Sequence, residues 1–125
     1  IFNGHTYQKL FLNDLSQAKH SVVISATRLW LSKHSPILDM LKELSARGVE
    51  VLVLVKNKTE KEEKLKETGI RTRVIDSLSM DAVVIDKSLL WYGSVNYLGY
   101  NTDENNAIRI SDSKVADQIL EVLYT

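Results

Sequence analysis

Between Leu78 and Ile110 the chain reads LSMDAVVIDKSLLWYGSVNYLGYNTDENNAIRI, and its polar residues are of the kinds from which hydrolytic sites are built. It offers hydroxyls at Ser79 and Ser94, carboxylates at Asp81, Asp86 and Glu104, and amides at Asn96 and Asn105. A serine hydroxyl is a poor nucleophile unless an adjacent base takes its proton, and no such base stands beside Ser79. The three histidines, His5, His20 and His34, fall outside the segment at expected helix ends, where an imidazolium or its hydrogen bonds are favoured. Asp76, Asp81 and Asp86 invite a hard cation. Their five-residue spacing argues against one, since an odd separation on a strand sends side chains to opposite faces. Neither a metal site nor a cofactor is expected. Asp86 is expected to order a hairpin, while Ser94 and Asn96 either support a ligand or satisfy loop backbone groups.

The elements that must position these residues follow from periodicity. Tyr7, Leu10, Phe11, Leu15 and Ala18 recur at helical steps and predict an amphipathic helix from about Thr6 to Lys19. Ser21 to Ala26 and Glu50 to Lys56 are β-branched runs, the second apolar at consecutive positions, as in strands buried on both faces of a parallel sheet. Between them Ile37, Leu38, Leu41, Leu44 and Ala46 predict a helix, with Pro36 near its start and Gly48 just past its end. This is a β-α-β unit. The run from Lys56 to Lys66 interleaves acids with lysines at helical spacing and reads as a solvated helix face ended by Gly69. Arg71 to Ile75 predicts a strand, and Ala82–Ile85 with Leu89–Tyr92 a hairpin turning at Asp86, Lys87 and Ser88. Trp91 and Tyr92 must face opposite ways, one into the core and the other towards a partner surface; these two and Trp30 are the aromatics that could stack on bases. Ala107 to Ile110 is a further strand, and Ser111 or Asp112 caps a last helix carrying Val115, Ile119, Leu120, Val122 and Leu123. The sum is an α/β fold, a mixed β-sheet with helices on both faces.

The segment resembles the phospholipase D (HKD) superfamily, whose domains carry H-x-K-x(4)-D, then G-S-x-N seven residues after the Asp, then an acidic residue and Asn. Gly93-Ser94-Val95-Asn96 lies seven residues after Asp86, and Glu104-Asn105 fits the third element. Counting back from Asp86 puts the His position at Ser79 and the Lys position at Asp81, so both are replaced. The resemblance spans nearly the whole chain as a single phospholipase D-like half. LLWYGSVNYLGY followed by DENNAIRI is similar to the PLD-like domain attached to the carboxyl end of bacterial helicases and related restriction-type nucleases. The family chemistry it implies is phosphodiester cleavage through a phospho-histidine, with two motif copies brought together and Lys holding the phosphate. Ser79 removes that nucleophile. An ionised Asp81 about 4 Å from a phosphate oxygen would repel it by roughly 1 kcal/mol in water and about 4 at an effective dielectric near 20. No catalytic residue is therefore expected; Ser94, Asn96, Glu104 and Asn105 are the candidate binding residues.

Composition bounds the rest. The 125 residues, 44% hydrophobic and 26% charged, suit one domain over residues 1–125. Such a chain can remove roughly two thirds of its unfolded surface from water. Sixteen basic and sixteen acidic residues leave no net field for nucleic acid or anionic membrane, so polyanion binding needs a local patch. Arg28, Lys33, Lys56, Lys58, Arg71, Arg73 and Arg109 would form one if they cluster on a single face. The absence of cysteine fits a reducing, cytoplasmic setting, and no apolar run reaches the roughly 20 residues needed to span a membrane. The chain opens at Ile1 without an initiator Met and is expected to be the C-terminal fragment of a larger polypeptide. Three functions are open. The first is a catalytically degenerate module of a helicase-like, nucleic-acid-processing protein, serving homodimer association through the motif face or DNA or RNA placement. The second is half of a nuclease completed by another motif copy. The third is a regulatory domain whose cleft takes a cationic or polyol ligand.

Overall fold

The computed structural model describes residues 1–28, 35–56, 65–66, 68–99 and 101–124. In chain order its elements are β1 (Phe2–Asn3), α1 (Gln8–Ser16), β2 (Ser21–Ala26), α2 (Pro36–Ala46), β3 (Glu50–Val55), β4 (Arg71–Val74), β5 (Asp81–Ile85), β6 (Leu89–Gly93), β7 (Asn106–Ser111) and α3 (Ser113–Tyr124). The strands form one sheet in the order β1-β7-β6-β5-β2-β3-β4. β2, β3 and β4 are parallel, whereas β5, β6, β7 and β1 follow as antiparallel neighbours. The parallel and antiparallel halves meet where β2 pairs β5, from Val22↔Ile85 to Ser25↔Ala82.

Two cores lie on the two faces of this sheet. On the front, α1, α2 and Leu65 bury Phe11, Leu15, Leu41 and Leu44 against Ile24, Val53, Val83 and Trp91. On the back, α3 packs Ala116, Ile119, Leu120 and Leu123 over Leu54, Val84, Leu90 and Tyr92. Trp91 is therefore core, and Tyr92 is half-buried on the opposite face, packed with the α3 cluster. Val122 belongs to the outer side of α3, 52% exposed.

Local chemistry sets the boundaries. Ser35 caps α2 by accepting the Leu38 N–H, Pro36 fills its first turn, and Gly48 at φ +91° lets Val49 N–H return to the Leu44 carbonyl. Asp112, not Ser111, caps α3 through the N–H groups of Lys114 and Val115, while Ser111 stays in β7. α1 is shorter than the expected Thr6–Lys19. Asn3 takes the N–H groups of His5 and Thr6 into a turn before it, and tight bonds from Gln17 and Ala18 to Asp14 and Leu15 close it. β4 keeps to Val74, with one further bond from Ile75 N–H to the Val55 carbonyl. β1 was not expected; it pairs with the start of β7. Trp30, Lys33, His34, Lys58 and most of the charged run from Lys56 to Lys66 lie outside the described residues.

One acid ties α1 to the sheet. Asp14, 7% exposed, accepts from the Trp91 indole N–H at 2.8 Å and from Arg109 Nε at 2.7 Å and Nη2 at 3.2 Å. Phe2, Tyr7, Phe11 and Tyr97 surround that indole with tilted or edge-on ring contacts. Asp14→Ala would strand a fully buried indole N–H, while Arg109 can turn to water. The variant is expected to lose roughly 1–3 kcal/mol of stability in urea unfolding, with Trp91 fluorescence reporting the loosened contact.

Candidate functional site

Strand direction sorts the expected site residues onto two ends of the sheet. Thr27 and Arg28 follow β2, Ser79 and Asp81 open β5, Gly93-Ser94-Val95-Asn96 leaves β6, and Glu104 and Asn105 lead into β7. These share one end. Asp86 follows β5 at the other, roughly 16 Å from Asp81 at about 3.3 Å per strand residue. The expected motif thus divides between a polar cluster and a remote structural residue. Asp81 and Asp86 cannot share a cation.

Asp86 secures the start of β2. It and Lys87 adopt φ of +53° and +54°, and Ser88 N–H closes the turn on the Ile85 carbonyl at 3.1 Å. Asp86, Lys87 and Ser88 thus form the hairpin turn expected between β5 and β6, linking the paired Ile85 and Leu89. Its carboxylate accepts the N–H groups of His20 at 2.7 Å, Ser21 at 3.1 Å and Lys19 at 3.1 Å. Burial pushes the Asp86 carboxyl up, but those N–H groups and the charge of His20 outweigh it and hold the carboxyl below its ordinary value.

Asp81 meets the opposite balance. Its carboxylate accepts from Thr27 N–H at 2.9 Å and lies 3.1 Å from Thr27 Oγ1. Burial raises its carboxyl above the usual value, against the Thr27 bonds and the nearby Arg28 charge. Beside it, the buried Tyr97 hydroxyl has no hydrogen-bond partner among the described residues. Burial, Tyr7 and Asp81 all push the Tyr97 phenol up. Tyr7 is pushed up to about 12 by burial, against an Asn101 bond. Neither phenol can serve as a base at neutral pH. Ser79 is exposed. His5 is engaged with Asp103 at 2.5 Å, and His20 stands at the Asp86 end.

The remaining motif residues hold the loop. Gly93 has φ +146°, and an added Cβ would sit 2.2 Å from the Asn106 carbonyl oxygen, so the close crossing of the two strands demands glycine. Ser94 Oγ accepts the Asn106 N–H at 2.9 Å, and Asn105 donates to the Ser94 carbonyl at 3.2 Å. Asn96, 8% exposed, donates to the Arg28 carbonyl at 2.8 Å and accepts Leu98 N–H at 3.0 Å. Glu104 is exposed, and its N–H donates to Thr102 Oγ1 at 3.2 Å. Sequence reasoning missed Asn101, whose amide clasps the Asn96 backbone from both sides at 2.7 and 2.9 Å. It also missed Thr27, the partner of Asp81.

The described cations of the expected patch do not gather on one face. Arg28 and Lys56 stand at the carboxyl ends of β2 and β3, Arg71 and Arg73 on the far edge strand, and Arg109 is held by Asp14. Its described members fall into separate groups because alternation along β4 and the Asp14 bond fix where Arg71, Arg73 and Arg109 point, while Lys33 and Lys58 lie outside the described residues.

A family model described as the PLD-like domain of cardiolipin synthase matches residues 11–124. The chain belongs to the phospholipase D-like family. No curated protein sequence matches it. Among solved structures this phospholipase D-like domain is similar to Nuc from Salmonella typhimurium, a phospholipase D family member, with TM-score 0.76 and 20% identity over 95% of this chain and 85% of that one. NucT from Helicobacter pylori gives 0.73 and 14% over 93% and 84%. TrmBL2, an archaeal chromatin protein with a novel mode of DNA binding, gives 0.72 and 13%, covering 99% of this chain and 49% of its own. At these identities the likeness establishes the shared fold. No described helix of the phospholipase D-like domain is long and apolar enough to cross a membrane.

Asp81, which opens β5, and Asp86, which follows it, should respond oppositely to acid. Asp86, held low, stabilises the fold above the unfolded carboxyl pKa near 3.9 and loses that contribution as pH falls through its folded value. Asp86→Asn, tolerant of positive φ, should therefore be less stable than the parent at neutral pH and converge with it in acid. For Asp81, held high, stability present below the unfolded pKa is lost as pH rises through the folded value. Asp81→Asn should be the more stable protein at neutral pH and converge with the parent in acid. Urea midpoints measured across the acidic range check both signs.

Proposed function

We propose that this phospholipase D-like domain does not cleave phosphodiesters and serves subunit association or DNA or RNA placement within a larger nucleic-acid-processing protein, such as a helicase. The observation that carries the reading is Asp81 bound to Thr27 beside an exposed Ser79, where an active relative is expected to hold Lys and His. A phosphate entering there meets a carboxylate instead of an ammonium, and a hydroxyl with neither described histidine on it. The DNA binding of TrmBL2 supports the nucleic-acid part. So do Arg28 and Lys56, exposed at the carboxyl ends of β2 and β3 on the same end as Ser79, the end where open α/β sheets bind ligands. Ser94, Asn96 and Asn105 then act by shaping the loop that a nucleic acid or second copy touches, and Glu104 contributes at its rim. An isologous homodimer through that end is the simplest assembly.

The purified domain should show no hydrolysis of bis(p-nitrophenyl) phosphate above buffer. Turnover that disappears in Ser79→Ala would overturn the reading, whereas trace activity in Ser79→His with Asp81→Lys would fit a retained scaffold. Labelled DNA should bind with affinity that falls with salt. Arg28→Glu and Lys56→Glu should weaken it, each lost phosphate contact lowering the slope of log K against log salt by about 0.9 on duplex. Salt-independent or undetectable binding removes the nucleic-acid part.

A second reading, a ligand-sensing domain, is favoured by the unpartnered Tyr97 hydroxyl beside Asp81. Tyr97 is fully buried, so a polyol would partner that hydroxyl only by opening the residues packed over it. Thermal shift with glycerol and sorbitol, and Asp81→Ala as control, should then show a ligand-dependent rise confined to the parent.

A further inference from the structure

Among the described residues, the back of the sheet is only half covered. α3 lies over Leu90 and Tyr92 of β6. Over β2 and β3, Val23 and Leu52 remain half-buried on this side, whereas Val22 and Val51 on the front are buried. The described parts of the β2–β3 and β3–β4 connections, α2 and Leu65, both pack into the front core. A groove of about 630 Å³ results. Val23 and Leu52 form its floor, Leu120 and Tyr124 of α3 its wall, and Arg71, Arg73 and Lys87 its rim. Glu50 is the one acid among its lining residues, so three cations less one acid leave a local charge of +2 in a chain whose net charge is zero.

Shape and charge restrict the occupant. Strands about 4.8 Å apart make the strip over β2, β3 and β4 roughly 10 Å wide, close to the 10–12 Å diameter of a helix with side chains. An aliphatic floor suits leucine-like side chains, and the rim suits carboxylates on their flanks. Nucleic acid fits less well. The floor offers bases no ring to stack on, and Arg73 already lies 5.7 Å over the Tyr124 ring. We propose that this groove binds an acidic amphipathic helix of a partner protein. Its apolar stripe would rest on Val23, Leu52 and Leu120, and its acids would meet Arg71, Arg73 and Lys87. The site is separate from the Ser79 end and does not depend on the function proposed there.

The probe is a fluorescein-labelled peptide of about five turns, with leucines at three- and four-residue steps and flanking glutamates. Anisotropy should show micromolar binding at low salt. Arg71→Glu with Arg73→Glu should weaken it at least about tenfold, equivalent to about 1.4 kcal/mol, and Lys87→Glu should weaken it by a smaller factor. Urea midpoints establish that each variant folds, and amide NMR shifts should centre on Val23, Leu52 and Leu120. The same peptide with lysines for glutamates should not bind. No binding, equal binding of the lysine peptide, or binding indifferent to the charge reversals overturns the proposal. So does binding of an oligo-dT strand through these arginines in place of the acidic peptide. Ser79→Ala and Arg28→Glu should leave peptide binding unchanged, so failure here is distinguishable from failure of the function proposed for the motif end.

Discussion

The ladder between β2 and β5 is the constraint on which the other elements depend. It joins a parallel half, whose described crossover residues in α2 and at Leu65 pack on the front, to an antiparallel half built from a hairpin and its neighbours. Ser25, fully buried in the ladder, donates to the Met80 carbonyl and accepts the Ala82 N–H, both at 2.8 Å. An unsatisfied hydroxyl at this depth would cost more than its bond returns. Each end of the ladder is held by a carboxylate, Asp81 at the start of β5 on Thr27 and Asp86 just past its end on the chain entering β2. The motif spacing is thus also the length of a strand, and Asp86 is a structural clamp.

That division separates ancestry from chemistry. Gly93, Ser94, Asn96 and Asn105 satisfy the backbone where β6 turns towards β7, and each bond would be needed whether or not a phosphate were ever bound. Ser79 and Asp81 are held to less: one is exposed, and the other has found a local partner in Thr27.

Much of this was legible in the chain. The β-branched runs of β2 and β3, the Pro36 and Gly48 boundaries of α2 and the Asp86-Lys87 turn are local signals, and they placed those elements correctly. Asp14 was legible in principle. It sits among Tyr7, Phe11, Leu15 and Ala18, and an acid within an apolar stripe requires a buried donor, although the sequence does not say that Trp91 and Arg109 supply it. Thr27 and Asn101 were not legible, since their partners come from pairing between distant strands and from the path of a loop. β1 was hidden because two residues carry no period.

Among the described residues the sheet ends on one side in a two-residue strand and on the other in β4, whose Arg71 and Arg73 share the back face beside its outer row of backbone groups. Two copies laid β4 against β4 would set guanidinium against guanidinium, and β1 offers too short a template to extend. Filamentous growth by adding strand to strand is therefore discouraged at both margins.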